Sequence, residues 1–483
     1  MSVVARVARA LSRGALGLLL LVGCQDLTGS QQLPSGTQNP AYYSTPAGAL
    51  GMRTAAIYTL EQALPRFLID AGLLTDELED PQTGASPGAR LGASLPTGGS
   101  LDARILPELT YGASGTSADQ DYDALQKIRG AANQALGALA AYDTGANRQG
   151  DPGVMRGELY ALEAYDEILL ADLFCSGVPL STLDFQKDFT YHASSTTDQI
   201  YQDAIHKADS ALALADTSQQ VLNLARVVQG RAWLDRGNYA AAADDVESVP
   251  EGFTYELTFN VYNGLSNYIN NNVFRDGEIS DSEGGTGLPF ISSGDPRTRD
   301  TVFCVGCLNA ANEGLNVDGY IPIKYSAGLS DAGYAPFTVA DWVEARLIQA
   351  EAAWHSIPTG QGSWLDQLNA LRATAPIPGT TQPQPNALPP LTDPGATLTG
   401  SAADSARVSL LFQERAYWLY LTGHRQGDLR RLIRQYRRQQ NTVYPTGPYL
   451  APGAETYGMD INAPIASSEY SNPLFHGCLN RGA

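Results

Sequence analysis

The chain is poor in the residues that carry most covalent and metal chemistry: among 483 residues there are only 5 Cys, 5 His and 4 Met. The His residues (192, 206, 355, 424 and 476) stand at no ligand spacing with the cysteines, so a zinc or catalytic His/Cys cluster has little to be built from. Charge of one sign is also short. Against 51 Asp and Glu stand only 31 Lys and Arg, a formal net charge of -20, which opposes nucleic acid and anionic lipid surfaces as electrostatic partners. Long apolar runs are missing as well. A membrane-crossing helix needs about 20 apolar residues, and nothing after residue 23 approaches that. No nucleophile elbow, HExxH or phosphate-cradling glycine loop occurs.

What is present begins with Arg6, Arg9 and Arg13, a short apolar run from Ala15 to Val22, and Cys24. A basic start, a short apolar stretch and a small residue before a cleavage point describe a signal peptide over residues 1–23. The tetrad Leu21-Val22-Gly23-Cys24 resembles a lipobox, in which Cys24 becomes the acylated first residue of the mature chain; the plainer alternative is a signal peptide with a chance cysteine. Several acyl chains, at roughly 0.8 kcal/mol per buried CH₂, anchor firmly where one does not.

An exported chain meets an oxidising compartment, so the other four cysteines are expected in two disulfides, with three connectivities possible. Cys304–Cys307 and Cys175–Cys478 are the favoured pairs. The Cys304-x-x-Cys307 spacing also admits a redox pair or half a zinc site, although no second CxxC exists to complete one.

Helical signals recur along the chain. Thr45 before Pro46 starts a weakly amphipathic run to about Leu64, a polar Pro/Gly/Ser stretch covers 79–100, and helical periodicity returns at 121–142, 153–174 and 201–212. In 224–249, Gly230, Trp233, the turn Gly237-Asn238-Tyr239 and Ala242 follow tetratricopeptide spacing. Small Gly230 and Ala242 let two antiparallel helices approach, and one such hairpin implies stacked neighbours. Residues 250–335 lose the helical period and are rich in Asn, Gly, Ser and Tyr, a loop-rich excursion with a few short strands. Helices resume at 337–356, 362–375 and 404–439, and a tail with Tyr444, Tyr449, Tyr457 and Tyr470 follows. The expectation is an all-α chain, mostly helical with irregular loops. A single domain would run from 24 to 483, with helix pairs over about 45–249 and 337–439.

Several fragments together resemble the SusD/RagB-like outer-membrane nutrient-uptake lipoproteins: the lipobox, YYSTPAGAL before the first helix, TDE at 75–77, IRGAAN at 128–133 and RGELYALEAY with ADLF and VPLS across 156–181. DPR at 295–297, RLIQAEA at 346–352, LNALR at 368–372 and ERAYWLYLTGHRQGDLRR at 414–431 continue the series. Gln426-Gly427 departs from it, standing where an aromatic pair is expected before Asp428.

The resemblance implies four tetratricopeptide-like helix pairs, a ligand site carried by loops, and a place on the outer surface of the outer membrane. There the protein would capture an oligosaccharide or peptide and deliver it to a SusC-like TonB-dependent transporter, with no cofactor, metal or catalytic residue. In the 250–335 excursion Tyr262, Asn263, Tyr268, Asp295, Tyr320 and Tyr325 are the candidate ligand residues, together with the segment 79–111: aromatic faces stack on pyranose C–H surfaces, and amides and carboxylates bind hydroxyls. A structural role for each tyrosine is the plainer reading. The charged groups of 414–428, with Arg425 and Asp428 three residues apart, are expected to fix a corner rather than to catalyse. Two other function classes remain: a helical-repeat lipoprotein scaffold for envelope assembly, and a glycan hydrolase built on two carboxylates.

Overall fold

The computed structural model describes residues 43–79, 101–108, 117–143, 150–185, 188–259, 278–309, 316–325, 335–377, 388–449 and 456–482. The lipidation candidate Cys24 and the ligand candidates Tyr262, Asn263 and Tyr268 lie outside them.

The helices start where short polar side chains can take up the free N–H groups of a first turn. Helix α1 (Pro46–Leu74) is capped by Thr45, whose Oγ1 accepts from Gly48 N at 3.1 Å, with Pro46 at its first position. It runs ten residues past Leu64, the end expected from the sequence, because it continues through Pro65 and buries Phe67, Leu68 and Leu73 in the core. Then come α2 (Ser117–Tyr142) and α3 (Pro152–Leu173), the latter capped by Asp151. Helix α4 (Thr197–Leu214) opens on a reciprocal capping box between Thr196 and Gln199. Helices α5 (Gln219–Asp235) and α6 (Tyr239–Val246) form the hairpin read from the sequence, capped by Ser218 and Asn238. After the excursion come α7 (Trp342–Trp354), α8 (Trp364–Thr374), α9 (Ser401–Trp418) and α10 (Arg425–Arg434).

Packing follows chain order. Each helix from α1 to α7 lies against the next, α6 reaching α7 across the excursion; α9 packs on α7, and α10 returns to touch α1 and α3. The pairs α1/α2, α3/α4, α5/α6 and α7/α8 make a stacked helical-repeat scaffold around one large apolar core. Glycine lets the pairs close. A Cβ on Gly230 would stand 2.6 Å from Val246 Cγ1 and 3.2 Å from Ala242 O, and one on Gly157 would stand 2.8 Å from Ala215 Cβ. Gly237, at φ +77°, turns the chain from α5 toward α6.

The excursion is strand-bearing, as its lost helical period implies, and is tied at its base. Strand β6 (Thr254–Leu257) at its start pairs antiparallel with β10 (Phe337–Asp341) at its end, with an irregularity between Thr338 and Ala340. Its longest ladder joins β8 (Asp300–Asn309) to β9 (Asn316–Pro322), where Cys304 lies opposite Gly319. The side chains of Cys304 and Cys307 are outside the described residues. The remaining strands, β1 (Leu78–Glu79), β2 (Val178–Pro179), β3 (Thr182–Leu183), β4 (Phe189–Thr190), β5 (Ser194–Ser195) and β7 (Glu278–Ile279), are two residues each. The Cys175–Cys478 disulfide is formed and fastens the tail to the end of α3 across 303 residues of sequence. Among the described residues no helix is long and apolar enough to cross a membrane.

Two glycines separate packing from helix propensity. Gly230→Ala is expected to lower unfolding stability by about 1–3 kcal/mol through overlap with Val246. Gly130→Ala, in α2 where an added Cβ meets nothing within 4 Å, is expected to raise it by about 0.5–1 kcal/mol. Urea denaturation monitored by circular dichroism reads both, and equal signs would refute the close-approach account.

Candidate functional site

The β6–β10 base of the excursion, the first turn of α7 and the corner between α9 and α10 enclose a cleft of about 460 Å³. Residues far apart in sequence meet there: Phe253 just before β6 and Glu256 on it, Lys324 and Tyr325, Thr338 and Val339 on β10, Trp342 on α7, and Trp418 with His424. The size is in the range of small-molecule clefts, and aromatic walls are mixed with a few polar groups.

The corner is fixed by long-range hydrogen bonds. Leu421 has φ +52°, a left-handed conformation uncommon for a branched side chain. Its N–H donates to Glu77 Oε1 at 2.8 Å and its carbonyl accepts from the Tyr325 hydroxyl at 2.7 Å. Burial pushes the Glu77 carboxyl up to about 7, against the Leu421 hydrogen bond and the charge of Arg425. Arg425 grips Asp76 with two contacts of 2.6 and 2.7 Å. It thus pairs across 349 residues and not with Asp428, three residues on. Asp428 instead receives Arg415 of α9 at 2.9 Å and Arg431, three residues on in α10, at 2.6 Å. The expectation that these charges brace a corner stands, with different partners.

On the α7 side, Asp341 caps the helix by accepting from Glu344 N at 2.8 Å. Burial raises its carboxyl to about 6 despite that bond. Glu344 is held by Arg231 through two contacts of 2.6 Å, and His424 Nε2 lies 3.0 Å from it. Burial alone would raise the Glu344 carboxyl; Arg231 and His424 outweigh burial and hold it at about 2. Burial and the Arg231 charge keep the His424 imidazole below its usual value, while its Nδ1 lies 2.8 Å from Thr422 Oγ1. Lys324 donates to Tyr420 O at 2.6 Å with its Nζ 5.6 Å from the Tyr325 ring centroid. Burial pushes its ammonium down to about 8, partly offset by Asp341 and Glu77.

Of the sequence candidates, Tyr325 lies in the cleft, 2% exposed and with its hydroxyl spent on Leu421. Asp295 caps the turn at 296–298 and binds Arg297 at 2.9 and 2.7 Å, which in turn reaches Glu414. Tyr320 sits on β9 opposite Val302, packed against the core. Neither belongs to the cleft. Sequence reasoning passed over Lys324, Phe253, Trp342 and Trp418. The tryptophans read as core, which by burial they are, at 8% and 3% exposed; only the missing atoms in front of them mark a cleft. Among the described residues no group of three or more His, Cys, Asp or Glu is placed to hold a metal ion.

No protein-family model matches the sequence, and no curated protein does. Solved structures do. A laminarin-binding SusD-like protein superposes with a TM-score of 0.55 at 15% identity, covering 89% of this chain and 98% of its own. A SusD-like carbohydrate-binding protein of Bacteroides vulgatus gives 0.54 at 13%, covering 81% and 83%. A SusD superfamily protein of Bacteroides thetaiotaomicron gives 0.61 at 12%, covering 90% and 100%. Stacked tetratricopeptide-like pairs carrying a loop excursion define the class as a helical-repeat fold. Within that class the chain has the SusD-like fold.

Glu344→Gln is expected to cost about 3–5 kcal/mol near neutral pH, because Arg231 would be left buried without its counter-charge. A carboxyl lowered to about 2 from 4.5 stabilises fully above pH 4.5, and that contribution is lost as pH falls toward 2. Denaturant midpoints measured from pH 7 to pH 2 should therefore converge for wild type and Glu344→Gln; a constant gap would refute the pairing.

Proposed function

We propose that this chain is a SusD-like glycan-binding lipoprotein. It would be tethered through Cys24 to the outer face of the outer membrane, capture an oligosaccharide in the cleft, and pass it to a SusC-like TonB-dependent transporter. The carrying observation is the agreement of fold with SusD-like proteins over 90% of the chain. The laminarin-binding and carbohydrate-binding neighbours support the ligand class. The cleft supports capture over scaffolding, since Phe253, Trp342 and Trp418 wall a volume of about 460 Å³ that a stack of helix hairpins does not require. The reading contains binding and release and no covalent step. A ligand shifts the protein only by its differential contacts with the open and closed forms, so capture needs no chemistry on the glycan. The acidic surface and the lipobox agree with a body held beside a membrane by its first residue and not by its charge.

Calorimetry of the soluble protein lacking residues 1–24 should detect binding to an oligosaccharide within a broad glycan panel, with no product on chromatography. Trp342→Ala should weaken that binding several-fold, the loss of about 1 kcal/mol of aromatic contact. Product release, or no glycan binding even with the transporter present, contradicts the reading. In cells, Cys24→Ala should move the protein from the outer membrane to the soluble fraction when the transporter gene is deleted; continued sedimentation with the membrane would refute the anchor.

A further inference from the structure

The polar groups lining the cleft are unequally committed. Asp341 Oδ1 is taken by the first turn of α7, and both oxygens of Glu344 are taken by Arg231. Thr422 Oγ1 binds Leu419 O and lies beside His424. Lys324 is different. Its ammonium has three N–H donors, and one acceptor, Tyr420 O, is found for it among the described residues. Asp341 and Glu77 act on it through space, yet neither forms an ion pair with it. It is also the one Lys or Arg among the described residues that line the cleft. A largely buried ammonium with unused donors and no counter-ion is stabilised by any anionic acceptor brought within reach, and such charge-assisted bonds are the strong ones.

We infer that the cleft selects a glycan bearing a carboxylate on its sugar ring, and that Lys324 is the residue that reads it. The inference rests on the glycan-binding reading above and narrows it to acidic sugars. Phe253, Val339, Trp342 and Trp418 supply apolar and aromatic surface for the C–H faces of the ring, while the Lys324 ammonium meets its carboxylate. One group works against the ligand. Glu256 stands opposite Thr338 on the β6–β10 ladder, exposed, with a carboxyl raised by burial alone and with no partner among the described residues. Like charge at the rim weakens the complex without removing it, so Lys324 and Glu256 act with opposite signs on the same ligand.

That opposition gives the test. Calorimetry at pH 7 would use three acidic probes, an oligogalacturonate, an alginate oligomer and a sialylated lactose, each beside its carboxyl-reduced or methyl-esterified neutral counterpart, and a peptide with a free C-terminus. Wild type should bind at least one acidic probe about tenfold or more tighter than its neutral counterpart. Lys324→Met should abolish that preference while keeping the wild-type affinity for the neutral counterpart, which shows that the cleft is still formed, and Glu256→Gln should tighten the acidic probe several-fold and leave the neutral one alone. The acidic preference should also fade as pH rises through about 8, where Lys324 loses its proton. Equal affinity for acidic and neutral sugars, or a preference that survives Lys324→Met, overturns the inference and leaves glycan binding standing. Binding of the peptide alone, or of no glycan in any panel, overturns both.

Discussion

The structure depends on guanidinium groups buried against carboxylates. Arg431, fully enclosed, contacts Glu351 on α7, Asp428 on its own helix at 2.6 Å and Asp235 at the end of α5 at 3.1 Å. Arg415 on α9 shares Asp428, and Tyr436 adds its hydroxyl to Glu351 at 2.7 Å. Burial raises the Asp428 carboxyl, but the two arginines outweigh it and hold it well below the usual carboxylate range. Four helices are thus pinned at one point. The same device recurs in Arg129–Glu167, Arg231–Glu344, Arg297–Glu414 and Arg425–Asp76. Such pairs add little net stability against a well-packed apolar replacement, yet removing either partner is costly, so they specify which helix faces which.

That constraint reaches the cleft directly. Arg231 leaves α5 to hold Glu344 at the start of α7 through Nε and Nη2, and the same Nη2 donates to Val339 O on β10 at 3.0 Å. Arg425 holds Asp76, next to the Glu77 that fixes Leu421 in its left-handed turn. The excursion is therefore tied to the scaffold of helix pairs where it returns at β10, and the cleft is built on that return.

The helices were legible in one dimension because their causes are local. Thr45 before Pro46 announces a first turn, and Gly230 with Ala242 announces a close pair. Helix α1 exceeded its expected end because tertiary burial of Phe67, Leu68 and Leu73 overrides the stop that Pro65 suggests. Cys175 and Cys478 were paired correctly from their number and compartment, although 303 residues separate them. The candidate site was far less legible. Tyrosine and asparagine content drew attention to the middle of the excursion, whereas the cleft lies at its base, where Tyr325 stands and the other two candidates among the described residues, Asp295 and Tyr320, do not.

By itself the sequence determined the helical class, the hairpin spacing and the sign of the net charge, all properties carried by neighbours within a turn or two or by composition. The tertiary structure decided the partners of the buried charges and the existence of the cleft. Arg425 has Asp428 within one turn and Asp76 distant in sequence, and takes Asp76 because α10 packs back against α1. Lys324 reads as one more basic residue until Tyr420, Tyr325 and the β6–β10 base surround it. Periodicity records which face of an element is buried; it holds no record of which far-off groups will share that burial, and the energy of a buried charge is set by those groups.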